Sequence, residues 1–286
     1  MPPLLSRRAL FAFRRGGRPI SARRLPGGCL PLCAILALAA PAAAQRKGGF
    51  SAPTPLPAGS TLIVGFLAHS EESGDATRPG NQLAARLRAL ALPGVYVETA
   101  GGSSYRKARD LLLAATGRSS KGECGPQGCR DVRLLLYGTE DGSAEMMNVV
   151  RKLKSFGVPV ALAVEVTSEG RCGGTIPSNV ARAANICLDP RWADHGRERI
   201  RAEDPARTEI LANLRLSSGE RWLDISEAAQ SHANVSHPDL HMELDPIVWN
   251  HVEDYILEEL HRAGIPGAPA PPHPVSPSHR RAVLWR

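Results

Sequence analysis

At residues 131–143 the sequence reads Asp131-Val-Arg-Leu-Leu-Leu-Tyr-Gly-Thr-Glu-Asp-Gly-Ser143. An apolar run of strand length ends in a glycine-flanked turn, and a stretch of helical periodicity follows over residues 143–156. Two glycines at this spacing are typical of a sharp strand-to-helix bend. Such a bend holds its central residue in a strained conformation, and the neighbouring backbone packs too closely for side chains at the flanks. The central residue of the bend is Glu140.

Strand-like and helix-like segments alternate on both sides of this turn. The predicted strands are 61–67, 94–98, 131–137 and 158–166, and the predicted helices are 80–90, 105–115, 143–156 and 246–261. Strands that are apolar on both faces need a layer of helices on each side. The pattern therefore predicts an α/β fold, a three-layer sandwich with a mostly parallel central sheet.

The ends of the chain differ in composition from the middle. Residues 1–44 carry seven arginines and no acidic residue, then a short apolar run that ends in Ala42-Ala43-Ala44, which predicts an export signal cleaved after Ala44. Ser6-Arg7-Arg8 resembles a twin-arginine signal, and an uncleaved membrane anchor is the alternative. We expect a linker over 45–59, one domain over 60–263 and a disordered Pro-rich tail over 264–286.

The net charge comes from the predicted signal. The chain has 35 Lys and Arg against 28 Asp and Glu, but after residue 44 the two counts are equal at 28. A neutral mature chain gives no argument for a nucleic-acid partner. We expect a periplasmic or secreted protein without a membrane span in its mature form, and the sequence does not specify an oligomeric state.

Four cysteines remain after the predicted signal. An even number in an exported chain favours disulfides. Cys124-Gly-Pro-Gln-Gly-Cys129 closes a tight loop, so a local bridge is the simplest pairing, and Cys172 would then pair with Cys187. Half of a zinc knuckle is the rival interpretation of the first pair, although nothing in the sequence completes it.

Several longer stretches resemble a family of exported bacterial α/β-hydrolase-like proteins. These stretches are 62–66, 82–87, 134–138, 157–160, 176–181, 200–208, 210–213 and 241–249. The resemblance implies an α/β-hydrolase-like fold from about Leu62 to Leu260. It also implies Gly-His-Ser-x-Gly at the bend, an aspartate just after the next strand, and a histidine before the last helix.

This chain departs from that pattern at most of the implied site residues. The serine position is Glu140, the preceding histidine is Thr139, and the aspartate position falls at or near Thr167. His241 matches the histidine. The loop after the first strand, 67–70, lacks the glycine pair that such folds often use in an oxyanion hole. Serine-hydrolase chemistry through residue 140 is therefore excluded.

Three functions remain open. The first is a catalytically impaired relative, a pseudo-hydrolase, that keeps the fold and a cleft for a small-molecule ligand. The second is an active hydrolase in which Glu140 is a carboxylate nucleophile and His241 the base. The third is an esterase with a displaced serine, Ser143 or Ser168, and His241 or His69 as base.

The sequence predicts no cofactor and no metal. His232, His237 and His241 lie in a loop-like segment without helical spacing, so a metal site is not expected there. Gly101-Gly102-Ser103-Ser104 lacks the longer glycine fingerprint of a nucleotide site and is expected to form a turn.

Overall fold

A computed structural model describes residues 49–167, 173–189, 199–217 and 246–272. Its main sheet has six strands, all parallel, in the order β2-β1-β3-β4-β6-β8. These strands are β1 (Thr61–Phe66), β2 (Val95–Ala100), β3 (Arg133–Thr139), β4 (Val160–Thr167), β6 (Val180–Asp189) and β8 (Glu209–Ser217). A separate parallel pair consists of β5 (Gly174–Ile176) and β7 (Ile200–Ala202).

In the described part of the chain, four α-helices flank the sheet. They are α1 (Pro79–Ala89), α2 (Tyr105–Ala115), α3 (Asp141–Ser155) and α4 (Pro246–Arg262). The predicted three-layer α/β sandwich with a parallel central sheet is confirmed. Every predicted helix and strand is present with its ends within two residues of the prediction. The sequence analysis did not predict strands β5 to β8.

Alternating side chains of each central strand point into two separate cores. Along β3, Leu134 and Leu136 pack with α2 and α3 on one face, while Leu135 and Tyr137 pack with α1 and α4 on the other. This two-sided burial explains why the strand is apolar at every position. The Tyr137 ring fills the space above Gly65, where any side chain would collide with it.

Part of the segment assigned to a linker is packed against the sheet. Glu98 of β2 is 1 % exposed, and one of its carboxylate oxygens accepts hydrogen bonds from the Ser51 N–H (2.6 Å), the Ser51 hydroxyl (2.7 Å) and the Ala52 N–H (2.7 Å). Leu56 is buried, and its N–H donates to the Ala115 carbonyl (3.1 Å). The ordered domain therefore begins before β1.

The first residues of the predicted Pro-rich tail also contact the domain. Ile265 and Ala268 pack against the α1 and α4 core, and the Ile265 N–H donates to the Leu260 carbonyl (3.2 Å). Residues 273–286 lie outside the described residues, as does the predicted export signal, residues 1–44. Among the described residues, no helix is long and apolar enough to cross a membrane.

One of the two predicted disulfides lies entirely within the described residues. Cys124 and Cys129 form a disulfide with a Cα–Cα distance of 4.9 Å, which confirms the local bridge. Cys187 is also disulfide-bonded. Its predicted partner, Cys172, lies outside the described residues.

Helix α4 is held to the amino ends of the strands by a buried ion-pair cluster. Arg182 of β6 pairs with Glu259 and with Glu258 (2.9 Å), and Arg133 of β3 pairs with Glu259 (3.1 Å). The side chains of Arg182 and Glu259 are only 8 % and 4 % exposed. A buried pair of this kind is costly to break, because the remaining partner is left charged and without water.

We expect Arg182→Met to lower the free energy of unfolding by about 3 kcal/mol, because Glu259 would keep only Arg133 as a partner. Urea denaturation followed by circular dichroism would measure the loss. The matched control is Lys154→Met, which removes the exposed pair with Glu203 and should cost less than about 1 kcal/mol. Equal losses in the two variants would contradict a special role for the buried cluster.

Candidate functional site

The turn between β3 and α3 has an unusual backbone. Glu140 joins the two elements with φ 51° and ψ −126°, a conformation that residues other than glycine rarely adopt. Its N–H donates to the Val166 carbonyl of β4 (2.8 Å), which fixes the turn to the neighbouring strand. Holding a glutamate in this region costs on the order of 1–3 kcal/mol, and such strain is concentrated at functional sites.

Both glycines of the turn are required by close backbone contacts. A Cβ atom at Gly138 would lie 2.6 Å from the Cα of Ser143, and one at Gly142 would collide with the carbonyl oxygens of Phe66 and Leu67. The sequence prediction that neither flank has space for a side chain is confirmed. At these two points the first turn of α3 therefore meets strands β1 and β3 with no side chain in between.

The Glu140 side chain lies at the carboxyl edge of the parallel sheet. It is half-buried, and Asp141, the first residue of α3, is half-buried beside it. In open parallel sheets, ligands bind at this edge, outside the ends of the strands. Carboxylates at the start of a helix are also favoured by its dipole. The dipole accounts for an acidic residue here, but it does not require the positive φ of Glu140.

The nearest described serine is not available as a nucleophile. Ser143 is 2 % exposed, and its hydroxyl donates to the Val166 carbonyl (3.2 Å). Its N–H donates to the Glu140 carbonyl (3.0 Å). Ser143 therefore stabilises the turn from inside. Thr167, at the predicted acid position, is the last residue of β4 and is 4 % exposed.

The loop after β1 presents a fixed carbonyl group to the start of α3. The Tyr105 hydroxyl donates to the Leu67 carbonyl (2.5 Å), which is also the atom that leaves no space for a side chain at Gly142. Burial raises the pKa of Tyr105 to about 12, and the negative charges of Asp141, Glu145 and Glu71 add to the effect. Tyr105 is therefore a neutral hydrogen-bond donor at physiological pH.

Other residues singled out from the sequence are less central or lie outside the described residues. His69 is exposed in the loop after β1. Gly102–Ser104 form one turn of 3-10 helix before α2, as expected. Four residues discussed in the sequence analysis lie outside the described ranges: Ser168, His232, His237 and His241. The pairing of Glu140 with His241 therefore stays a prediction.

A buried carboxyl group that the sequence analysis did not single out lies next to the turn. Glu165 of β4 is 6 % exposed and is the register partner of Gly138. Since Ala163 packs on the α2 and α3 face, Glu165 two residues later points to that same face. Burial raises the pKa of Glu165 to about 7, and Arg151 opposes the shift only in part. The signal in the sequence was one acidic residue inside an apolar strand.

Glu165 belongs to a polar row that crosses the sheet. Its register partner on β6 is Asn185, which is fully buried, and the partner of Asn185 on β8 is Asn213. The Asn213 amide accepts from the Ile200 N–H (2.7 Å) and donates to the Ile200 carbonyl (3.4 Å), which fixes β7 to the sheet. Asn185 also donates to Asn213 (3.5 Å).

The described residues define the site as the carboxyl edge of a parallel α/β sheet with a strained, glycine-flanked turn at its centre. Within the described part of the chain, no group of three His, Cys, Asp or Glu residues could hold a metal ion. No protein-family model matches the chain, and no curated protein matches its sequence. The geometry of the site therefore carries the functional argument.

We expect Glu140→Gly to raise the free energy of unfolding by about 1 kcal/mol, because glycine adopts φ 51° without strain and this gain exceeds its entropy cost. Thermal or urea unfolding would measure the change. The control is Asp141→Gly, one residue later, which should lower stability by a similar amount because it places glycine in a helix and removes a favourable N-terminal charge. A loss in both variants would show that Glu140 is not strained.

Glu165→Gln should change how stability depends on pH. The pKa of Glu165 is raised to about 7 in the folded protein, from 4.5 for a free carboxyl group. As pH rises from about 4.5 to 7, the unfolded chain loses this proton before the folded protein does, so the folded protein loses stability over that range. We expect the glutamine variant to be more stable by about 3 kcal/mol at pH 8 and nearly unchanged at pH 4. Urea unfolding at both pH values would measure this. The control, Glu123→Gln at an exposed position, should show no such difference.

Proposed function

We propose that this chain is an exported α/β-hydrolase-fold protein that has lost serine chemistry, a pseudo-hydrolase that keeps a ligand cleft at the turn around Glu140. The observation that carries the proposal is the backbone of Glu140, with φ 51° and ψ −126° at a glycine-flanked strand-to-helix turn in the middle of the sheet. In a nucleophile elbow the catalytic serine stands on a turn of this kind.

The residues at the turn argue against acyl transfer through a serine. A carboxylate has no proton for a histidine base to remove, so Glu140 cannot replace a serine hydroxyl in that mechanism. Ser143 is buried and its hydroxyl is engaged with Val166. Thr167 has no carboxyl group with which to orient a histidine. The loss of nucleophile and acid together is expected to cost several orders of magnitude in rate.

Export is the second part of the proposal. The basic and then apolar segment of residues 1–44 is typical of an export signal. The Cys124–Cys129 disulfide supports it, because such bonds persist mainly in oxidising compartments.

A second candidate function is favoured by the strain at Glu140. If the side chain had no role, glycine at this position would be more stable, and strained residues persist where function requires them. In this alternative a Glu140 oxygen attacks a carbon of an epoxide or haloalkane and forms an ester. The attacked C–O bond of the epoxide breaks and its oxygen, still on the neighbouring carbon, takes a proton from water, or the halide ion departs. A water molecule activated by His241 then hydrolyses the ester and regenerates the carboxylate.

Hydrolysis of aryl esters, epoxides and haloalkanes by the purified chain distinguishes these functions. For a pseudo-hydrolase we expect no turnover above background in the natural sequence, Glu140→Gln or His241→Ala. Turnover that both substitutions abolish would establish the carboxylate nucleophile instead. Turnover that is lost only in His241→Ala would point to a displaced serine.

Restoring the missing groups tests the fold assignment itself. We expect the double variant Glu140→Ser, Thr167→Asp to hydrolyse a short aryl ester at least about tenfold faster than the natural sequence, because His241 would regain a nucleophile and an acid. The control is Ser143→Ala in the double variant, which removes the buried hydroxyl and should leave the new activity in place. A double variant without activity, folded by circular dichroism, would contradict an elbow-type site.

A further inference from the structure

A buried carboxyl group on β4, that of Glu165, lies next to the turn around Glu140. It is 6 % exposed, and none of the described residues gives it a hydrogen bond or an ion pair. Among the described residues, the cation that acts on its charge is Arg151 of α3, whose guanidinium donates to Asn148 (3.1 Å). Glu165 therefore differs from Glu98 and Glu259, buried carboxylates that have donors.

Burying a carboxyl group without a donor is unfavourable, and an apolar residue would suit this strand better. Two other side chains of β4, Val160 and Ala163, lie farther from the carboxyl edge and belong to the apolar core packed against α2 and α3. No packing requirement for an acid is visible at this position. An isolated buried acid next to a strained turn is a candidate for a group that meets a ligand.

The surroundings of Glu165 define what that ligand would offer. Glu165 lies at the carboxyl end of a central strand, where ligands of parallel sheets bind. Its register neighbours are Gly138, which has no side chain, and the amide of Asn185. The ionised carboxyl group accepts hydrogen bonds and donates none, so a complementary group must bring N–H donors and positive charge.

We propose that the site binds a small organic cation, with a primary ammonium or guanidinium group seated on Glu165 beside Asn185. The inference rests on the proposed function, in which the cleft at the Glu140 turn holds a small molecule, and it names the chemical class of that molecule. Charge-assisted hydrogen bonds to a buried carboxylate are among the stronger polar contacts in proteins.

Binding of n-butylammonium to the full chain tests the proposal, with n-butanol as the neutral probe of the same shape. Isothermal titration calorimetry at pH 8 should show saturable binding of the ammonium ion and at least tenfold weaker binding of the alcohol. N-butylguanidinium, compared with the same alcohol, provides a second cationic probe. Both cations should lose at least about tenfold in affinity in Glu165→Gln, which keeps the shape and removes the charge.

The matched control variant is Glu145→Gln. Glu145 lies on the first turns of α3 and contributes to the negative potential around Tyr105, so this variant removes an equal charge from the same end of the helix. We expect it to keep the affinity for both cations. Equal binding of cations and alcohol, undiminished binding in Glu165→Gln, or an equal loss in Glu145→Gln would each overturn the proposal. Glu165→Met provides a second neutral side chain if the glutamine variant does not fold.

The readout is binding, so its outcome is independent of turnover. Binding of the cations by a chain that hydrolyses nothing would support both proposals together. A lack of cation binding would overturn the role of Glu165, whereas ester turnover would overturn the pseudo-hydrolase. The two failures are therefore distinguishable.

Discussion

The close approach of the α3 N-terminus to strands β1 and β3 is the constraint on which the rest of this structure depends. At Gly142 the helix backbone touches the carbonyl oxygens of Phe66 and Leu67, and at Gly138 the strand backbone touches Ser143. These contacts set the depth at which α3 lies on the sheet. They also force the chain through the conformation of Glu140, because one residue must reverse the direction between strand and helix.

Strands β1, β3 and β4 could be predicted because their pattern is local: each is apolar on both faces and lies next to a stretch of helical periodicity. Strands β6 and β8 were missed because their polar residues find partners only in the folded protein. Arg182 of β6 is paired with Glu259 of a helix near the end of the chain, and Asn213 of β8 is bonded to the backbone of β7. No local pattern marks a strand whose polar groups are satisfied by distant residues.

The candidate site shows the same limit. The spacing of Gly138 and Gly142 located the turn and predicted strain at its central residue. The contacts with β1 and β4 that fix the positive φ are not displayed by the sequence. Glu165 was passed over because its burial depends on α3 and β6 together. The prediction for His241 stays a prediction, since that residue lies outside the described part of the chain.

The position of α4 has a consequence for the order in which the protein is made. Val252, Ile256 and Leu260 of this helix cover the same sheet face as Ile63 and Leu135, residues that leave the ribosome much earlier. Between the end of β4 and the end of α4 lie roughly 100 residues, on the order of 5–20 s of synthesis. During that interval one face of the nascent sheet has no helix from the C-terminal end to cover it. The chain can complete this layer only after α4 itself has been translated, which favours late folding of the domain as a unit over stepwise folding from the N-terminus.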